Sequence, residues 1–169
     1  KLLLDGGADV NAENRRGAAP LHYVCDPRPM SGGTWHPQAQ ADLIELLVQH
    51  GAKLQHVDRG GASALHRAVR ARSPAAVRQL LRAGARVDVR LKKGGSTPLH
   101  LAVQSTGAGG TAGALAEQLE IILLLLQHGA EPGAKDDNGR SVMDSAKSDR
   151  IRAALQPTEQ ERSDCTQES

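Results

Sequence analysis

The sequence predicts an all-α repeat solenoid, and three observations carry the prediction. One helix start recurs four times, a glycine-alanine pair closes a helical run ahead of each start, and the apolar content is almost free of aromatic rings. Hydrophobic residues make up 39 % of the 169 residues, yet aromatics make up 1 %, with no Phe, one Tyr (Tyr23) and one Trp (Trp35). A core of Leu, Ala and Val suits thin stacked helical layers better than a thick globular centre. Eighteen glycines among so many helix formers imply regular breaks.

The clearest helix start is Gly95-Ser96-Thr97-Pro98-Leu99-His100-Leu101-Ala102. Thr97 is suited to cap free backbone N–H groups, and Pro98 fits the first helical position because its missing N–H would be unpaired there. Weaker copies are Ala18-Ala19-Pro20-Leu21-His22, Ala62-Ser63-Ala64-Leu65-His66 and Arg140-Ser141-Val142-Met143-Asp144. Gly7-Ala8, Gly51-Ala52, Gly84-Ala85 and Gly129-Ala130 each follow an apolar run, at 2–4, 43–48, 77–81 and 121–126. Glycine ends a helix in the left-handed conformation without steric cost. From each of these glycines to the histidine position is 15, 15, 16 and 15 residues, so the turn segment is nearly constant. His66 to Gly84 is 18 residues, whereas His22 to Gly51 and His100 to Gly129 are both 29. Two units therefore carry 11 additional residues between their helices. Without them the period is about 33 residues, that of a β-turn followed by two helices.

The segments Leu4-Asp5-Gly6-Gly7-Ala8-Asp9-Val10-Asn11-Ala12, Thr97-Pro98-Leu99-His100-Leu101-Ala102 and Gln127-His128-Gly129-Ala130 resemble the ankyrin repeat. The resemblance covers residues 1 to about 155 and implies hairpin loops and antiparallel helix pairs stacked into a curved solenoid. It departs from the family pattern at Ala64, at Val142 and Asp144, and in the two insertions. The expected organisation is a partial repeat at 1–8, repeats at about 9–52, 53–85 and 86–130, a capping repeat at 131–155 and a disordered polar tail at 156–169. Leu43, Leu46 and Leu47 recur at helical spacing and predict one buried face. The run 121–126, apolar all round, predicts a helix sandwiched between neighbours. Ser148-Asp149-Arg150-Ile151-Arg152 reads as a polar cap, while Leu2, Leu3 and Leu4 have none before them. More repeats are accordingly expected N-terminal to Lys1.

Charge narrows the function classes. The formal net charge is +2; the tail carries −3, which leaves +5 on the body. That is weak for a nucleic-acid binder, and aromatic residues for base stacking are nearly absent. The longest strongly apolar run, 121–126, falls far short of the roughly 20 residues of a membrane span. Cys25 and Cys165 make no disulfide framework and read as free thiols in a reducing compartment, cytoplasmic or nuclear.

Chemistry is not expected from these residues. His22, His66 and His100 share one repeated position about 10 Å apart, too wide for one zinc ion with ligands about 2 Å away. The resemblance implies instead that each bonds the neighbouring loop backbone. His50 and His128 end second helices, where a cation complements the helix dipole. Cys25 and His36 lack the rest of a metal cluster, and Cys25 occupies a slot suited to a small buried apolar residue. Gly107-Ala108-Gly109-Gly110 lacks the Gly-Lys-Ser/Thr of a phosphate loop and reads as a tether. The expectation is no catalytic residue, no cofactor and no metal.

The remaining candidates form a contact surface. The first insertion, from Asp26 to Gln40, holds Pro27, Pro29, Met30, Pro37 and Trp35. Trp35 is suited to a partner contact or to folding back over its own helices. The hairpin tips Asn14-Arg15-Arg16, Asp58-Arg59, Arg90-Leu91-Lys92-Lys93 and Asp136-Asp137-Asn138 predict a rim that is basic at three tips and acidic at the fourth. By the resemblance, the exposed face of each first helix, with Tyr23, Arg67, Arg70, Leu101 and Gln104, joins this rim. The expected contact residues are therefore Arg15, Arg16, Tyr23, Trp35, Arg59, Arg67, Arg70, Lys92, Lys93 and Leu101. The expected function is a protein–protein interaction module or scaffold, with an acidic partner segment suited to the rim. The alternative is a substrate-recruiting or adaptor segment of a larger enzyme or ubiquitin-ligase complex.

Overall fold

The computed structural model describes residues 2–26, 36–104 and 115–156. After a short α1 (Leu2–Asp5) come four helix pairs: α2 (Pro20–Cys25) with α3 (Pro37–Gln49), α4 (Ala64–Arg70) with α5 (Pro74–Arg82), α6 (Pro98–Val103) with α7 (Leu115–Gln127), and α8 (Val142–Ser145) followed by α9 (Asp149–Ala154). First helices stack on first helices, in the order α2, α4, α6, α8, and second on second, in the order α3, α5, α7, α9. The core is one continuous apolar layer between the two rows. Leu21, Leu65 and Leu99, the same position in three first helices, are buried together with Val142 at the start of α8, in one cluster with Ile44, Leu80, Ile121, Leu125 and Ile151. No pair could bury such faces alone; its neighbours supply the missing surface.

Each boundary follows from local chemistry. Thr97, Ser63 and Ser141 accept from the backbone N–H three residues on, at 3.4, 3.4 and 3.1 Å, which starts α6, α4 and α8. The second helices α3, α5 and α7 stop in left-handed glycines, Gly51, Gly84 and Gly129. At α3, Gly51 (φ +86°) donates to Val48 O at 2.9 Å and Ala52 to Leu47 O at 2.9 Å, the paired bonds of a Schellman stop. The turn segments are extended arms rather than strands, closed by isolated antiparallel bridges such as Val57 with Ser63 and Lys135 with Ser141.

Part of each insertion is helical. α3 and α7 have 13 residues against nine in α5, so about one turn of each insertion is helix. Residues 37–40, expected in the first insertion, begin α3. The added turns carry matching buried glutamines: Gln40 donates to Val24 O and Gln118 to Ala102 O, each at 2.7 Å, closing the ends of α2 and α6. The short turn of the uninserted repeat is bound to both neighbours. Ser73 Oγ donates to Gln40 Oε1 at 2.6 Å, and the buried Arg72 guanidinium donates to Ala102 O and Gln104 O at 2.8 and 2.5 Å. Trp35, Pro27, Pro29, Met30, the 107–110 tether, Cys165 and the 157–169 part of the tail lie outside the described residues.

Two packing expectations are corrected. Leu43 is 42 % exposed; the buried stripe of α3 is Gln40, Ile44 and Leu47, rotated because Gln40 is drawn to the end of α2. The 121–126 run is not covered all round, since Leu123 is 48 % exposed on the outer side while Ile121, Ile122 and Leu125 are buried.

Glycines at the tips are fixed by close approach as well as by backbone angle. Gly61 (φ +81°) would place an added Cβ 2.7 Å from Lys92 N of the next tip, whereas Gly139 (φ +76°) has nothing within 4 Å. Gly139→Ala is expected to cost about 1 kcal/mol for the left-handed backbone alone. Gly61→Ala should cost more, and chemical denaturation of the two variants should separate them; equal losses would show that the tips part freely.

Candidate functional site

The four tips form one ladder. Arg59 N donates to Arg16 O at 2.9 Å, Lys92 N to Gly60 O at 2.9 Å and Asp137 N to Gly94 O at 3.1 Å. Within each tip a short side chain closes the turn. Asn14 Oδ1 accepts from Arg16 N and Ala18 N, Asp58 Oδ1 from Gly60 N and Ala62 N, and Asp136 Oδ1 from Asn138 N and Arg140 N, all between 2.8 and 3.0 Å. These three residues stand eight positions ahead of His22, His66 and Asp144, a register that marks them as loop closers. The third tip has Leu91 in that place and one more residue, and it turns through two left-handed glycines, Gly94 and Gly95. The single 16-residue spacing is located there.

This accounting sorts the candidate contacts. Arg15, Arg16, Arg59, Lys92 and Lys93 are exposed, and none has an anionic side chain in ion-pair range among the described residues. Arg90, counted among the basic tips, instead reaches the fourth tip, donating to Lys135 O at 2.8 Å and Asp137 Oδ1 at 3.1 Å. The carboxylates of Asp58 and Asp136 face inward. Burial works to raise the Asp58 pKa, but the Arg67 guanidinium and the N–H groups of Ala62 and Gly60 hold it below the ordinary carboxylate range.

On the first-helix face, Tyr23 is 55 % exposed and its hydroxyl is held by the Asn14 amide. Arg70 and Gln104 are exposed as well. Two expected contacts are corrected. Leu101 is 9 % exposed and packs in the core, because the stacked first helices of neighbouring repeats close over it. Arg67 is already engaged, at 2.7 Å from Asp58 Oδ2 and 3.5 Å from Asp26 Oδ2, with a side chain 21 % exposed.

The histidines are scaffold parts. Nε2 of His22, His66 and His100 meets the carbonyls of Ala62, Ser96 and Arg140 at 3.0, 3.4 and 3.4 Å, each in the following turn segment. Nδ1 receives a backbone N–H from Ala19, Ser63 or Thr97, so Nε2 carries the proton and donates. Burial depresses all three pKa values, that of His66 to about 4. His50 and His128 Nδ1 meet Leu46 O and Leu124 O at 2.9 and 2.8 Å, one turn back at the helix ends. Cys25 is fully buried and its thiol is pushed up by desolvation, which removes it as a nucleophile at neutral pH. Among the described residues no group of three or more His, Cys, Asp or Glu could hold a metal ion, and no helix is long and apolar enough to cross a membrane.

A family pattern described as "Ankyrin repeats (3 copies)" matches residues 1–90 and again 35–136. The chain is 30 % identical over 146 residues to B-cell lymphoma 3 protein homolog of Mus musculus, covering 86 % of this chain and 29 % of that protein. It is 36 % identical over 177 aligned positions to Ankyrin repeat and SOCS box protein 16 of Mus musculus, covering 86 % and 36 %. It is 30 % identical over 146 positions to E3 ubiquitin-protein ligase KEG of Arabidopsis thaliana, covering 83 % and 8 %. The chain thus spans well under half the length of each of these relatives.

Two outcomes follow for stability. The His66 pKa is about 4 in the folded chain against roughly 6.5 when unfolded, so between these values the unfolded chain binds the proton that the folded chain refuses. Stability should be intact above pH 6.5 and fall as pH drops toward 4, by on the order of 3 kcal/mol from His66 alone. Thermal melts across pH 7 to 4 check this, and a flat profile would contradict neutral, desolvated imidazoles. Arg67→Ala should cost about 1–3 kcal/mol because it strands the Asp58 carboxylate, while Arg59→Ala should lie within about 0.5 kcal/mol of the parent. Denaturation midpoints of the two variants decide it.

Proposed function

The chain belongs to the ankyrin-repeat family, whose repeats are protein-interaction modules, and we propose that it holds its partner along the rim of tips and the adjoining exposed face of the first helices. The observation that carries this is the tip ladder, which presents Arg15, Arg16, Arg59, Lys92 and Lys93 on a backbone fixed by hydrogen bonds from tip to tip. A surface already ordered loses little entropy on binding. Tyr23, pinned by Asn14, and Arg70 extend the contact onto the first-helix face. Specificity comes from these side chains rather than from the fold. A cytoplasmic or nuclear setting goes with this reading, since Cys25 is a buried thiol with no disulfide partner among the described residues.

A second reading is favoured by one similarity. One relative is named as an E3 ubiquitin-protein ligase, of which the matched segment is a small part. In that reading the same rim recruits a substrate, and the chemistry resides in another domain of a longer chain.

Reversing Arg15, Arg16, Lys92 and Lys93 to glutamate should abolish or greatly weaken capture of the partner retained by the parent protein, with the melting temperature nearly unchanged. Quantitative affinity capture of parent and variant by mass spectrometry checks this. Partner recovery equal to the parent's would remove the rim from the contact surface.

A further inference from the structure

We infer that the cleft between the third and fourth turn segments is a binding site for the side-chain carboxamide of a glutamine or asparagine on a partner protein. The site goes beyond the rim contact and uses none of its cations. It follows from two junctions that the chain fills and a third that it does not. At the first, Asn11 Nδ2 donates to Gly51 O at 3.0 Å and Asn11 Oδ1 accepts from Lys53 N at 2.9 Å. At the second, Gln55 Nε2 donates to Gly84 O at 2.8 Å and Gln55 Oε1 accepts from Arg86 N at 3.1 Å. Each carboxamide stands four residues after its own helix-stop glycine, Gly7 or Gly51, and clamps the next stop.

In that register the third junction has Asp88, four residues after Gly84. An ionised carboxylate has no N–H to donate, and both Asp88 oxygens accept from Arg86, at 3.0 and 2.9 Å. The backbone it would have met is nevertheless built as before. Gly129 has φ +85°, against +86° at Gly51 and +91° at Gly84. Ala130 N donates to Leu125 O at 3.0 Å, as Ala52 does to Leu47 and Ala85 to Leu80. Among the described residues, Gly129 O accepts no hydrogen bond and Glu131 N donates none. Where the clamp is missing, a cavity of about 530 Å³ opens, lined by Gly129, Ala130 and Glu131 and by Val87, Thr97 and Ala134.

The vacant pair selects its occupant. A carboxylate can accept from Glu131 N but sets a second acceptor against Gly129 O. An ammonium can donate to Gly129 O but cannot accept from Glu131 N. A carboxamide does both with its two terminal atoms, as Asn11 and Gln55 already do at the equivalent pairs. Two of the ions beside the cleft are engaged within the chain, Asp88 by Arg86 and Arg90 by Asp137, which suits a neutral occupant. Val87, Ala130 and Ala134 add apolar wall for the methylenes of such a side chain, the usual mix of a small binding site.

The test is an NMR titration of the isotope-labelled full chain, read at the Glu131 amide. The probes are N-acetylglutamine N-methylamide, its glutamate analogue and its methionine analogue. Only the glutamine compound should move the Glu131 resonance in a saturable way. In Asp88→Gln the chain supplies the carboxamide itself. The Glu131 resonance should then shift without any addition, and its response to the glutamine compound should be lost. The melting temperature should rise by about 3 °C, whereas Asp88→Ala should show neither the shift nor the rise. An equal response to the methionine compound would replace the side chain with a main-chain amide, and a preference for the glutamate compound would replace it with an anion; either overturns the proposal. Silence at Glu131 with all three compounds overturns it too, as does an Asp88→Gln chain with an unchanged Glu131 resonance and melting temperature. The fourfold rim reversal should leave the glutamine response intact, so the cleft and the rim stand or fall separately.

Discussion

One buried imidazole per repeat couples this stack. Through Nδ1, His22, His66 and His100 bind the starts of their own helices, and through Nε2 they hold the turn segment of the next repeat. The bond works only while the ring is neutral with its proton on Nε2, and burial enforces the neutral state. The second, third and fourth turn segments are thereby anchored at the base by a histidine and at the tip by a backbone bond to the preceding tip, as between Arg59 and Arg16. From the second tip on, both ends of each rung are fixed. The exposed cations inherit that rigidity from groups they do not touch.

The insertions use a second device for a similar purpose. An added turn of helix brings Gln40 and Gln118 to the carbonyls of Val24 and Ala102 at the ends of α2 and α6. The repeat without an insertion donates to both sides, through Ser73 and through Arg72, whose left-handed backbone (φ +54°) accompanies its reach to Ala102 and Gln104. Buried polar groups at helix ends are costly if unpaired, so additional chain between the helices is accommodated by a matching side chain rather than by an open gap.

Much of this was legible in the sequence. Repetition yielded the period, the capping residue Thr97 with like helix starts at Ser63 and Ser141, and the glycine stops, while the family resemblance implied the structural role of the three histidines. Other points were not legible. Leu43 and Leu101 read as a buried and an exposed residue and proved to be the reverse, because hydrophobic spacing defines a stripe but not how far the helix is rotated against its neighbour. Arg67 and Arg90 are indistinguishable from Arg59 as sequence, yet the first is held by Asp58 and the second by Asp137.

By itself, then, the sequence determined the repeat, the two-row architecture and the positions of the tips, because these rest on local chemistry that recurs in register. Tertiary structure alone decided which charges are paired within the chain and which stay exposed. That depends on which side chains from segments far apart in the chain fall within about 3 Å of one another. The repeat period sets where the tips fall in the chain, but only the folded ladder shows that Arg15, Arg59 and Lys92 share one edge with no anionic side chain in ion-pair range among the described residues.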